Sequence, residues 1–227
     1  MKPKQLIIIG GGSSINEGLS KELKEKIKDK FVIGCNYAFN FFDNLTITTY
    51  VDREFYKKQH QNIEGLQLIV GQKATDAPKM LNTYFIEGFS TYKRNLKGGI
   101  YKANLVGLYS LSLGIFLLDE GEIFLLGFDY GGKGKDKKGR KITHFYQGGI
   151  NHRGIGKTNY YDMKGRADKD FGVYNKEKKC KIYNVSLNSR INVFPKITYE
   201  QFFTLLDDKT YCQKFLKSMI IERIKNV

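Results

Sequence analysis

Leu6-Ile7-Ile8-Ile9 runs directly into Gly10-Gly11-Gly12-Ser13-Ser14, and this junction limits the fold more than any other stretch of the chain. A short unbroken apolar run suits a parallel strand covered on both faces by helices. The glycines end it. From 17 to 29, Leu19, Leu23 and Ile27 recur at every fourth position among Lys and Glu, which predicts an amphipathic helix with one face turned inward. Strand, glycine loop and helix, in that order, open a βαβ unit.

The alternation continues to residue 130. Residues 31–35 and 45–51 read as strands, the second rich in Thr, Ile and Tyr, and 66–70 and 83–86 read as weaker ones around a loop at Pro78. A helix is expected from about 101 to 118, then a turn at Glu120-Gly121 and a strand over 122–128 that ends at Asp129-Tyr130. That helix is the most apolar stretch, but Ser110 and Ser112 interrupt it and it falls short of the ~18 apolar residues of a membrane span. Strands alternating with helices predict an α/β chain with a mainly parallel sheet flanked by helices. At 227 residues, one such domain accounts for the whole chain.

Beyond 130 the texture changes. Residues 131–141 hold six Lys or Arg against one Asp and almost nothing apolar, which reads as a flexible basic loop. Residues 143–157 collect His144, Tyr146, Asn151, His152 and Arg153 among glycines, a segment suited to closing over a substrate. Order is expected to return with a strand at 180–185 and helices at 198–206 and 209–224, the last with Tyr211, Phe215, Met219, Ile220 and Ile224 on one face. The expected organisation is a single α/β domain over 1–227. It comprises a core at 1–130, a flexible basic lid at 131–179, and the last strand with the C-terminal helices at 180–227.

Composition narrows the partners. A formal net charge of +15 points to an anionic one, while 41% hydrophobic and 14% aromatic content excludes a disordered basic tail. Cys35, Cys180 and Cys212 lie far apart with no C-x-x-C spacing, which argues against a disulfide framework or a zinc ribbon and suits a reducing cytoplasm. The N-terminal stretch does not read as an export signal.

Candidate chemistry gathers at strand ends, where open parallel sheets bind ligands. Gly10, Gly11 and Gly12 would let a phosphate approach the backbone, with donors from Ser13, Ser14 and the following helix N-terminus. No lysine follows in Walker A register, and Ile15 stands where a G-x-G-x-x-G fingerprint needs its third glycine. Asn36, Asp52 and Asp129 each follow a strand. The two carboxylates suit a ribose, a metal or a substrate hydroxyl, or, as plain structure, a helix cap. Either His144 or His152 could deprotonate an acceptor hydroxyl near neutral pH. With no Cys or carboxylate at ligand spacing beside them, no zinc site is expected there.

Four pieces stand in order: Ile8 to Ile15 through the glycine loop, Gly34-Cys35-Asn36, Gly114 with Glu122 to Tyr130, and His144-Phe145-Tyr146. Together they resemble the bacterial family 42 sialyltransferases and the related MptE-like group (domain of unknown function 115), which includes archaeal hydroxymethyldihydropterin diphosphokinases and many phage proteins. The ending from Val185-Ser186-Leu187-Asn188-Ser189 to Phe194-Pro195-Lys196 is most similar to the phage members. The resemblance covers most of the chain and implies a Rossmann-like fold. It further implies nucleotide phosphates at Gly10, Gly12 and Ser14, nucleotide or sugar contact from Asn36, and Asp129 and Tyr130 at the donor site. The candidate nucleotide-binding set is Gly10, Gly11, Gly12, Ser13, Ser14, Asn36, Asp52, Tyr130, Arg153, Ser186 and Asn188, with Asp129, His144 and His152 as catalytic candidates.

Two departures from the sialyltransferases leave the donor open: Ser13 replaces the usual Pro of the turn, and Gly98-Gly99 stands where they have Ser-Gly. The sialyltransferases use a histidine base without a metal, but the spacing of His144 and His152 differs from their pair, so either can be the base. The resulting expectation is a metal-independent transferase, a glycosyltransferase using a nucleotide-sugar donor, in the cytoplasm of the cell or of a phage host. The alternatives are diphosphate transfer from ATP, with Mg²⁺ held by Asp52 and Asp129, and a non-catalytic nucleotide or nucleic-acid binder. DNA is also a candidate anionic acceptor.

Overall fold

The structure is a computed structural model that describes residues 2–63, 67–71, 83–85, 105–130, 145–146, 166–176 and 179–225. Its strands are β1 (Gln5–Ile9), β2 (Val32–Cys35), β3 (Ile47–Tyr50), β4 (Leu68–Gly71), β5 (Thr83–Phe85), β6 (Gly121–Leu126) and β7 (Cys180–Asn184). All seven pair in parallel in one sheet of order β5-β4-β3-β2-β1-β6-β7. This is the Rossmann-like α/β architecture.

The unbroken apolar run after Gln5 takes the central place. Ile8 pairs with Ile33 of β2 on one side and with Leu125 of β6 on the other. Side chains alternate along a strand, so Leu6 and Ile8 enter one core cluster while Ile7 and Ile9 enter the other. The helices are α1 (Ile15–Leu19), α2 (Leu23–Lys26), α3 (Arg53–Ile63), α4 (Val106–Leu118), α5 (Arg166–Phe171), α6 (Tyr199–Leu205) and α7 (Gln213–Lys225). The cluster of Leu6 and Ile8 is completed by α4, α5 and α7, and the cluster of Ile7 and Ile9 by α1, α2, α3 and α6.

Helix α4 is apolar nearly all round because it is buried on almost every face, against the sheet and in one cluster with α5 and α7, with Leu111, Leu113, Leu117 and Leu118 in the core. Each such side chain contributes roughly 1.5–3 kcal/mol by leaving water. Gly114 sets how close the helix comes, since a Cβ there would stand 2.7 Å from Leu6 Cδ2. Among the described residues no helix is long and apolar enough to cross a membrane. None of the three cysteines forms a disulfide, and Cys35 and Cys180 lie in the interior.

Several elements differ from the expectation. The single helix at 17–29 is instead two short ones, broken at Glu22, whose φ is +60°. Gly18 and Ser20 are poor helix formers, and Gly18 lies under the ring of Tyr199, where a Cβ would approach Cε1 to 2.3 Å. The apolar helix begins at Val106, after an extended Leu105. The last helix begins at Gln213 and buries Leu216, Ile220 and Ile224, while Phe215 is 54% exposed. Helix α3 was not anticipated: Asp52 caps it, and Tyr56, His60 and Ile63 form its buried stripe. Helix α5 within 131–179 was not expected either: its Ala167 and Phe171, and Tyr174 after it, are buried in the core.

Candidate functional site

The chain runs outward from β1 to β5, then returns to place β6 on the other side of β1. The sheet therefore has its topological switch point between β1 and β6, and ligands of open α/β sheets sit outside the carboxyl ends of the strands at such a point. Here those ends carry the Gly10–Ser14 loop and the 127–130 segment.

Backbone pairing holds the two segments together. Gly10 N donates to Leu126 O (2.7 Å) and Gly12 N to Gly127 O (2.8 Å), so the loop prolongs the β1–β6 ladder. A Cβ on Gly12 would lie 2.6 Å from both Gly127 O and the Asp129 carboxylate. Glycine is thus required by the approach of neighbouring chain, whatever ligand binds.

Asp129 is 7% exposed, and its carboxylate turns into the loop. Oδ2 accepts from Ser14 N (2.8 Å) and from Ser13 Oγ (3.4 Å), and Oδ1 accepts from Ser14 Oγ (2.5 Å). The turn after β7 fixes the same segment from the other side. Arg190 N donates to Asp129 O (2.8 Å), and Ser189 Oγ, itself bonded by Asn184 Nδ2, donates to Phe128 O (2.6 Å). The amides of Gly10, Gly12 and Ser14 are all engaged within the protein, and a carboxylate lies where an anion on this loop would come. Two unit charges about 5 Å apart near a protein surface repel by roughly 3 kcal/mol.

Beside Asp129 opens a cavity of about 280 Å³. Ser13, Ser14 and Glu17 form one wall, 185–188 after β7 a second, and Ile197, Thr198 and Tyr199 at the start of α6 a third. Ser186 and Asn188 therefore join Ser13, Ser14 and Asp129 at one place. Thr198 Oγ1 caps α6 by accepting from Gln201 N (3.2 Å), while Gln201 Oε1 accepts from Thr198 N (2.9 Å). The Tyr199 hydroxyl is fully enclosed and has no hydrogen-bond partner among the described residues. Burial, reinforced by the charges of Asp129 and Glu17, pushes its pKa above the usual tyrosine range, so it keeps its proton.

The other expected residues lie apart from this cavity. Tyr130, at φ +48°, turns its ring to the opposite face, 5.2 Å from Phe171, with its hydroxyl over Gly107. Asn36 follows β2 at φ +48° with Oδ1 enclosed and unpartnered. Asp52 is exposed and accepts from Glu54 N (2.8 Å), the cap of α3. No three His, Cys, Asp or Glu side chains come together among the described residues. His60, the third histidine, is buried, with Nδ1 3.0 Å from Tyr56 O.

His144, His152 and Arg153 lie outside the described residues. Within their segment, Phe145 N donates to Gly11 O (2.8 Å), while its ring meets Phe41 at 5.0 Å and Tyr146 lies 5.8 Å from Tyr37. An aromatic cluster thus backs the glycine loop on the side of β2. The sequence reading had not placed Glu17, Thr198 or Tyr199 in a site. The T-x-x-Q capping box at Thr198 was legible as a helix start, but nothing local tells that this start faces Asp129.

Searches against family models, curated proteins and solved structures found no match to this chain. The switch-point crevice, with its buried carboxylate and hydroxyl-lined cavity, is the part of the described molecule on which a functional reading rests.

Proposed function

We infer that the chain is a transferase acting on a nucleotide-activated donor at the β1–β6 crevice, in its most concrete form a glycosyltransferase. The observation that carries this reading is the convergence, at a switch point, of the glycine loop, Asp129 and a cavity walled by Ser13, Ser14, Ser186, Thr198 and Tyr199. Hydroxyl groups and a carboxylate are the partners a sugar needs, and pockets of this size bind small polar groups by a few placed donors and acceptors. In this reading His152 or His144 takes the acceptor proton, a contribution of roughly 10²–10⁴-fold. Arg153 and Lys157 offset charge on the departing nucleotide. The basic 131–141 stretch favours an anionic acceptor such as DNA.

Calorimetric titration of the full chain with CMP-, UDP- and GDP-sugars tests the reading. One nucleotide class should bind, and Asp129→Asn should weaken it about tenfold or more. Indifference to all three overturns it. Replacing His144 and His152 singly by Ala then names the base, because only its loss removes the acidic limb of the pH–rate profile. Turnover in EDTA distinguishes glycosyl transfer from Mg²⁺-dependent diphosphate transfer.

A further inference from the structure

The cavity beside Asp129 offers the wrong chemistry for a phosphate and a suitable one for a neutral ring. Among the described residues, no Lys or Arg lines it, while Asp129 and Glu17 both do. Glu17 shares its charge with Lys21 Nζ (3.0 Å), whereas among the described residues Asp129 is held only by amide and hydroxyl donors. Phosphates and acidic sugars would therefore meet an uncompensated negative charge.

Tyr199 supplies the complementary half. Its ring packs on Gly18 and against Phe202 and Phe203, it is 1% exposed, and its hydroxyl is an enclosed donor with nothing to bond. A buried polar group left unpaired is costly, so a partner brought by a ligand would be favoured. The missing partner must accept from Tyr199, so a ligand that draws this enclosed hydroxyl into the cavity while donating to Asp129 would satisfy both walls. An alcohol does both, and adjacent hydroxyls on one ring can reach both walls. The volume of about 280 Å³ suits one sugar ring rather than a whole nucleotide.

We propose that this cavity is a subsite for an uncharged, hydroxyl-rich sugar ring, with Tyr199 as donor, Asp129 as acceptor and Ser186 and Asn188 completing its rim, and that it discriminates against anionic groups. This deepens the transferase reading, on which it rests in taking the ring to be the group carried by the activated donor. Phosphates of that donor then lie outside the cavity.

The test is an NMR titration of the ¹⁵N-labelled full chain with methyl glucoside, galactoside and mannoside, with N-acetylneuraminic acid, with inorganic phosphate, and with UDP, GDP and CMP. At least one neutral hexoside should shift the amides of Ser14, Ser186 and Tyr199, and bind about tenfold more tightly than the acidic sugar or phosphate. Tyr199→Phe should weaken that hexoside about tenfold while leaving the thermal midpoint unchanged or raised, because no protein hydrogen bond is lost. Asn188→Ala, at an exposed position that threatens no fold, should weaken it several-fold. The proposal is overturned if no hexoside shifts these amides, if the acidic probes bind as tightly, or if both variants bind the hexoside like the unaltered chain. Hexoside binding without any nucleotide binding would keep the subsite and overturn the transferase reading; nucleotide binding without hexosides would do the reverse.

Discussion

Along the amino-terminal edge of the sheet, charge is closed off. Lys2 pairs with Asp119 (3.2 Å), Lys4 with Glu120, Lys179 with Asp119 (3.7 Å), and the buried Lys30 donates to the carbonyls of Asp207 and Lys209 beside the Asp207 carboxylate. At the carboxyl edge, Asp129 meets only hydrogen-bond donors among the described residues, a tyrosine hydroxyl is left unpaired and space remains beside them. One edge satisfies itself with ion pairs, and the other leaves a cavity beside its carboxylate. Exposed ion pairs contribute only about 0–1 kcal/mol each, so the first edge serves chiefly to join strand starts, whereas the Asp129 carboxylate is buried and tied to the glycine loop by Ser13 and Ser14.

The sharpest way to break this contrast uses a glycine from each edge. At Gly121, φ is +134° and a Cβ would lie 2.1 Å from Lys4 O, so Gly121→Ala should cost about 3 kcal/mol or more in urea unfolding while leaving ligand affinity intact. Gly12→Ala, forced against Gly127 O and Asp129, should cost about 2 kcal/mol and abolish binding as well. If Gly12→Ala binds normally, the carboxyl edge is as structural as the other.

A second pair works on the charges. Lys30→Met removes the charged donor to the carbonyls of Asp207 and Lys209 and should lower stability by about 2 kcal/mol with binding unchanged. Asp129→Asn keeps the shape but loses the charge that Ser13 and Ser14 serve, and should lower stability by only about 1.5 kcal/mol while removing ligand affinity. Equal effects on affinity would erase the distinction. Thr198→Ala, which removes the cap of α6 at the cavity wall, should cost about 1 kcal/mol with a small loss of affinity.

Acid gives the smallest effect. Hydrogen bonding from Lys2 holds Asp119 below its ordinary value, Lys4 does the same for Glu120, and Lys21 holds Glu200 at about 2. Folded values below unfolded ones mean that this stabilisation is present above about pH 4.5 and is lost as pH falls toward 2. Because these groups are largely exposed, the loss should be slight and should shrink further in high salt, as urea midpoints at both salt levels would show.

The strand core was legible from residue patterns alone. Unbroken aliphatic runs at β1 and β6 and Thr-rich β3 state their burial in their own composition. Helix α3 was hidden although it carries a helical period, with Phe55, Tyr56, His60 and Ile63 on one face, because the stripe is mostly aromatic and imidazole among Lys and Gln and lacks the aliphatic run that marks the other elements. The break at Glu22 was hidden for the opposite reason: Leu19, Leu23 and Ile27 keep a perfect helical spacing, and only the Tyr199 ring on Gly18 shows what else shapes that segment.

The sequence by itself determined a parallel α/β sheet, a glycine loop after its first strand and a carboxylate after its sixth, because period and turn chemistry are local properties. It also picked out Ser186 and Asn188, though only as part of a resemblance. That β6 returns beside β1, that Asp129 therefore closes on Ser14, and that Tyr199 arrives from 70 residues downstream of Asp129 to face the same cavity were decided by tertiary structure alone. Strand order and the meeting of distant side chains depend on which faces bury best together, and no local pattern carries that information.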